Sequence, residues 1–255
     1  MQKEKQDEIS SKLEMANATI QKLNETQDCQ KQQTSQYEST ASIQTKNMLD
    51  KLISTFNKPI NGYTPILNEH SQSKLAEFIL KNGWKWSIQQ LNESADRGST
   101  LVWNEFEGAI RGNGAPDLQQ GYYYGQMAEG KREGYGIMYC SGTNNAPYLY
   151  ECEWKEGTPI NSGRYLLIES SNKWTMFDGP LIDDYLISGI GSWQSEAGQS
   201  YLGLYKHGDR QGYGRNTNPD GSYSEGEWKN HKQVGLHKYY NSNLALTKTK
   251  DHGGI

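Results

Sequence analysis

The sequence predicts a mainly β fold: an elongated single-layer antiparallel sheet of stacked β-hairpins, preceded by an α-helical, coiled-coil-like N-terminal segment. Four observations carry this. A spacing of rings and glycines recurs along everything after about residue 100, the self-similarity of an array built from one repeated unit. The apolar surface comes mainly from rings with polar handles, 17 Tyr and 7 Trp against 4 Phe. Mean hydropathy is −0.90 and 34% of the residues are hydrophobic. That is low for one compact core, but enough for an array in which each unit buries its face against its neighbours. Finally, the first residues carry a heptad seam.

The N-terminal arm, residues 1–58, reads as helix. Ile9, Leu13, Ala16, Ile20 and Leu23 fall on the a/d seam of a coiled coil, with Lys, Glu and Gln elsewhere. Ile9, Leu13, Ile20 and Leu23 are the candidate helix interface. Two heptads are too short to dimerise firmly alone, so the seam is expected to pack on a partner's helix or to stay partly disordered. The stretch Gln30 to Gln44 is rich in Gln, Ser and Thr and suits a linker. Leu49, Leu52, Ile53 and Phe56 then resume a helical stripe, which stops before Lys58-Pro59.

Residues 59–101 are expected to hold a helix and a capping segment. Asn61-Gly62-Tyr63-Thr64-Pro65 is a turn region. A helix from Ser71 places Leu75, Phe78 and Ile79 on one face, with Asn82-Gly83 as its stop. Trp84, Trp86 and Ile88 then alternate as a strand that caps the open edge of the array, a continuing helix being the competing reading.

Residues 102–243 are the array, and 244–255 a C-terminal tail. The clearest unit is Tyr201 to Gly221, in which Tyr201, Gly203 and Tyr205 are followed by Gly208, Gly212, Gly214 and Gly221. Tyr201, Gly203 and Tyr205 alternate along a strand, so both rings share a face and the glycine between them admits close approach. Gly208 starts a turn that needs positive φ. Gly212 and Gly214 flank Tyr213 on the returning strand. Upstream, Tyr123 and Gly125 lead to Gly130, Gly134 and Gly136; downstream, Gly226, Trp228 and Gly235 continue the spacing, with His231 and His237 where glycines are expected. Tyr150, Trp154 and Gly157 repeat the opening with Cys152 in the glycine position. Weaker copies run from Phe177 to Gly198 and from Phe106 to Gly121, making about six units with a period of about 23 residues.

On Tyr201 to Gly221 and Tyr123 to Gly136 the chain resembles the MORN repeat family, over about its last 60%. The resemblance implies a row of hairpins, one per repeat, joined in one twisted antiparallel sheet with a groove of rings on one face. It also implies scaffolding, since such repeats occur in ciliary and cytoskeletal proteins, in membrane-junction proteins and as appendages to some enzymes. The units between residues 157 and 190 depart most: Ile160 to Arg164 lacks the Gly-x-Gly return, and Lys173 to Tyr185 carries extra residues.

Little in the chain points to chemistry. The net charge is −4, and its acidic excess falls after residue 99, which excludes an electrostatic footprint for nucleic acid. The N-terminus, Met-Gln-Lys-Glu-Lys, has no apolar run behind it, so a cytosolic chain without a membrane span is expected. Cys29, Cys140 and Cys152 lack C-x-x-C pairing, and free thiols are expected. His207, His231 and His237 come without accompanying ligands and read as surface loop histidines. Asp183-Asp184 reads as a solvated turn, since adjacent strand residues point to opposite faces. Gly212-Tyr213-Gly214 lacks the Lys and Ser/Thr of a phosphate loop. No catalytic site, metal, cofactor or small-molecule substrate is expected.

Three functional classes follow. The favoured one is a non-catalytic structural or adaptor protein that holds protein partners in a cytoskeletal assembly, a cilium or flagellum by the resemblance. Its candidate partner-binding residues are Tyr123, Tyr150, Trp154, Tyr201, Tyr205 and Trp228, expected to line one face, half of them as internal packing and the rest as an exposed aromatic groove. The alternative is a phospholipid-surface or membrane-junction module, disfavoured because such attraction needs clustered Lys or Arg. A regulatory fragment of an enzyme is expected least, the chain ending at Ile255, about a dozen residues past the last unit.

Overall fold

The computed structural model describes residues 69–86, 88–94 and 101–254. The expected arm with its seam Ile9, Leu13, Ile20 and Leu23, the linker, the Leu49 to Phe56 stripe and the turn before Pro65 lie outside the described residues. Among the described residues the fold is mainly β. Two short helices, α1 (Glu69–Asn82) and α2 (Ile88–Ser94), precede one sheet. Its strands are β1 (Val102–Phe106), β2 (Leu118–Ala128), β3 (Lys131–Gly142), β4 (Pro147–Lys155), β5 (Thr158–Ile168), β6 (Trp174–Pro180), β7 (Gly189–Ser195), β8 (Ser200–Lys206), β9 (Asp209–Thr217), β10 (Tyr223–Lys229), β11 (Lys232–Tyr240) and β12 (Leu246–Asp251). All 12 lie side by side in chain order, and every neighbouring pair is antiparallel.

Tight turns set this order. The pairs β2–β3, β4–β5, β8–β9 and β10–β11 close on two residues: Glu129-Gly130, Glu156-Gly157, His207-Gly208 and Asn230-His231. All eight have positive φ, the requirement of the type I′ turn whose twist matches that of paired strands. Glycine takes the second place in three of them. His231 takes it in the fourth at φ 66°, so the histidine does occupy a glycine position. A register slip accompanies each turn, between Gly125 and Gln126, Cys152 and Glu153, Gly203 and Tyr205, and Glu225 and Glu227. The expected irregularity between residues 157 and 190 takes the form of a long connection: β5, β6 and β7 stay paired, but residues 181–188 replace the tight turn. The weak copy from Phe106 to Gly121 is no tight hairpin either, since residues 107–117 join β1 to β2 as a loop.

The capping strand expected at Trp84, Trp86 and Ile88 is not formed. Trp84 and Trp86 lie in the link between the helices, and Ile88 opens α2; the outermost strand on that side is β1. The helices lie on a face of the sheet, not at its edge. Leu75, Phe78 and Ile79 are all buried as α1 crosses β4, β5 and β6. The helix stops where Gly83, at φ +75°, turns its N–H to the Ile79 carbonyl at 2.8 Å, a left-handed C-terminal cap.

Helix α2 answers a defect in the sheet. The slip opposite Gly125 puts Gly134 and Tyr135 outside the β2 register. The buried Asn92 amide donates to the Tyr135 carbonyl at 2.9 Å and accepts from its N–H at 3.0 Å. A β-bulge thus keeps its backbone groups satisfied under a helix.

Candidate functional site

Strand alternation gives the sheet two unlike faces. One carries the rings. Phe106, Tyr123, Tyr150, Trp154, Tyr165, Tyr201, Tyr205 and Trp228 belong to one buried cluster, with Phe177 and Trp193 packed against it. Neighbours meet edge-on or stacked: Tyr123 and Trp154 at 5.4 Å, Tyr165 and Phe177 at 4.6 Å, Tyr201 with Tyr205 and with Trp228 at 5.3 Å each. The loops over residues 107–117 and 181–188 close part of this face. From the first, buried Arg111 donates to the Tyr148 and Tyr150 hydroxyls, both at 3.1 Å. The Tyr150 hydroxyl in turn donates to the Tyr185 carbonyl of the second at 3.1 Å.

The glycines of the repeat make room for these rings. Tyr123 lies over Gly125 and Gly136, and Tyr201 over Gly203 and Gly214; a Cβ at any of the four would come within 2.5 Å of the ring or its hydroxyl. The Tyr123 hydroxyl donates to the Gln126 carbonyl at 3.0 Å, and the Tyr201 hydroxyl reaches the Leu204 carbonyl at 3.4 Å. Two units a long way apart in sequence therefore repeat one contact.

All six candidate partner-binding rings lie inside this arrangement. Tyr123, Tyr150, Trp154, Tyr201, Tyr205 and Trp228 are at most 6% exposed, so the exposed aromatic groove expected from half of them is not formed. A single sheet has no second sheet to pack on, and its rings, with two loops, serve as the core.

The other face has two regions. Over β3, β4 and β5 it shows Ile137, Leu149 and Leu166, all buried, with α1 crossing β4 and β5. Over β7 to β11 the same face is open, yet it too is apolar. Ile190 is 70% exposed, Leu202 60%, Leu204 42%, Tyr213 54% and Leu236 60%. Ile190 pairs directly with Leu204, and Leu204 lies against Gly212 beside Tyr213. Beside this row runs a charged one: Leu202 opposes Arg215, Arg215 opposes Glu225 and Glu225 opposes Lys238, with an Arg215–Glu225 ion pair at 2.9 Å. Ring spacing alone did not reveal this surface. The signal was in Tyr201-Leu202-Gly203-Leu204-Tyr205, where the residues between the rings are leucines, not polar ones.

The remaining candidates resolve individually. His207 and His231 sit in turns, half exposed, and pair with Asp184 and Asp209 at 2.7 Å each. His237 is no surface loop residue: it is buried in β11, its ring over Gly226, since its neighbour Lys238 pairs with Glu225 on the open face and alternation puts His237 on the ring face. It contacts the Glu227 carbonyl at 2.8 Å and Gln233 at 3.2 Å. Asp183 is exposed, while Asp184 caps the Leu186 N–H at 3.0 Å. Cys140 and Cys152 are free and buried, and burial pushes both thiols up. Among the described residues, no group of three or more His, Cys, Asp or Glu comes together that could hold a metal ion. Compared with models of known protein families and with curated proteins, the chain matches none.

Proposed function

We propose that this chain is a structural or adaptor protein of MORN-repeat type that holds other proteins in a larger cytoskeletal assembly. The observation that carries the binding role is the open apolar row on β7 to β11. The row runs over β7, β8 and β9, is interrupted on β10 by exposed Glu227 opposite Tyr213 and resumes at Leu236; apolar surface gathered on one face with a charged rim marks protein contact more often than it survives on a free monomer. The repeat-type reading is supported by the common contact of Tyr123 and Tyr201 with their glycine pairs, at the positions where the sequence resembles that family. The cytoskeletal setting, a cilium or flagellum, rests on the resemblance.

A lipid-surface module is the competing reading. Among the described residues no helix is long and apolar enough to cross a membrane, and the rim of the open row alternates in sign instead of clustering cations, which suits protein better than an anionic headgroup layer. Affinity purification of the tagged chain from its own cells tests the choice. Co-purifying axonemal or other cytoskeletal proteins are expected. Salt-sensitive sedimentation with anionic liposomes, with no protein partner recovered, would replace this reading by the lipid one.

A further inference from the structure

We infer that the open face of β7 to β11 receives an amphipathic α-helix of another protein, laid across the strands. The inference rests on the adaptor reading and names the chemistry of the partner. Its starting point is a contrast within one face. Where this face carries apolar residues under α1, they are buried; where it carries Ile190, Leu202, Leu204, Tyr213 and Leu236, no described segment covers them. The chain itself thus shows which element its sheet accepts on this side.

The geometry favours a helix over an extended strand. The exposed residues run across the strands, one or two from each of β7, β8, β9 and β11, so an occupant must meet a new strand at each step. Neighbouring strands lie about 4.8 Å apart, and a helix advances about 5.4 Å per turn. A helix crossing the sheet therefore delivers about one side chain per strand, and α1 itself lies across β4, β5 and β6. Crossing β7 to β11 covers roughly 19 Å, or roughly 13 helical residues, with apolar side chains at i, i+3 or i+4 and i+7 over β7, β8 and β9, a polar one near i+11 over Glu227 of β10, and an apolar one near i+14 over Leu236 of β11. An extended peptide pairs along a strand through its backbone and would use a sheet edge instead. The rim completes the match, since Arg215, Glu225 and Lys238 alternate in sign beside the row, where the polar flank of a helix would carry both signs.

The test is site-specific photo-crosslinking of the full chain in its own cells. Benzoylphenylalanine replaces Leu202 in one version and Tyr213 in another, with the exposed turn residue Asn230 as the off-row position. Adducts from Leu202 and Tyr213 are expected to map to one segment of another protein whose apolar residues recur at helical spacing, with at least a tenfold lower yield at Asn230. Adding Ile190→Asp and Leu204→Asp should cut the yield from Tyr213 at least tenfold; both side chains are exposed, so thermal melting should stay unchanged and certify the fold. Adducts to a second copy, to residues of the same chain before Glu69 or to lipid would overturn the inference, as would the absence of adducts. If purification recovers protein partners but no adduct forms on the row, the adaptor reading survives and this site falls. If no partner is recovered, both fall.

Discussion

The Tyr201 hydroxyl lies 2.1 Å from the point where a Cβ on Gly214 would stand. Since Tyr201 is buried among Tyr205, Trp228 and the Arg210 guanidinium, its ring has nowhere to retreat. Gly214→Ala should therefore destabilise the protein by about 1–3 kcal/mol through overpacking. Gly112→Ala is the control: its φ is ordinary and nothing lies within 4 Å of the added atom, so a change within about 0.5 kcal/mol is expected. Denaturant unfolding of both checks the difference. Equal stability of the two variants would remove the ring-on-glycine contact as the reason for the repeat.

Trp228 was a candidate contact for a partner, and its surroundings make it a core residue instead. It packs on Tyr201 and His237, holds Arg210 over its ring at 4.3 Å and donates from Nε1 to the Gly214 carbonyl at 3.3 Å. Trp228→Ala should cost about 3–5 kcal/mol, with loss of partner binding only in step with unfolding. A variant that melts like the parent yet binds nothing would return Trp228 to the binding surface.

The hairpins were legible in the sequence because their signals are local: a turn needing positive φ at Gly130, Gly157 and Gly208, and a glycine beside each ring that folds back. The use of the rings was not. Alternation puts Tyr201 and Tyr205 on one face, but whether that face is core or groove depends on residues 107–117 and 181–188, which no spacing places above it. His237 was misread for a related reason. Alternation puts it on the ring face, but its burial depends on Trp228 and His252 closing around its ring, contacts that residue spacing does not place. Trp84 and Trp86 alternate like a strand, yet they sit in the link between α1 and α2, with the Trp86 ring against Tyr135 at 5.4 Å.

The link between the helices is held on the sheet by charge. Arg164 Nε donates to Glu151 Oε1 at 3.0 Å and its Nη2 to the Gly83 carbonyl at 3.0 Å, while the Lys85 N–H donates to Glu151 Oε2 at 2.6 Å. Both ionic side chains are buried. Arg164→Met leaves the Glu151 carboxylate without its cation and should cost about 3–5 kcal/mol. Adding Glu151→Leu removes the stranded charge, so the double variant should be more stable than Arg164→Met alone. A double-mutant cycle by urea unfolding decides: simple additivity would mean that the two charges do not act as a pair.

The ring core also predicts how the protein fails in alkali. Burial pushes the phenols of Tyr123, Tyr150, Tyr165 and Tyr205 well up, and brings those of Tyr185 and Tyr201 to about 12. In the unfolded chain a tyrosine ionises near pH 10. Between these values the folded protein keeps protons that the unfolded chain releases, so stability falls as pH rises. The contribution of these groups is whole below about pH 10 and is lost as pH climbs towards 12 and beyond. Tyrosinate absorbance at 295 nm, followed together with the β signal in circular dichroism, reads this directly. The exposed phenol of Tyr213 should titrate in the folded protein, while the buried ones should stay silent until the β signal collapses and then ionise together. A single midpoint near pH 10 for all tyrosines, with the sheet intact, would show that the rings reach solvent and form no core.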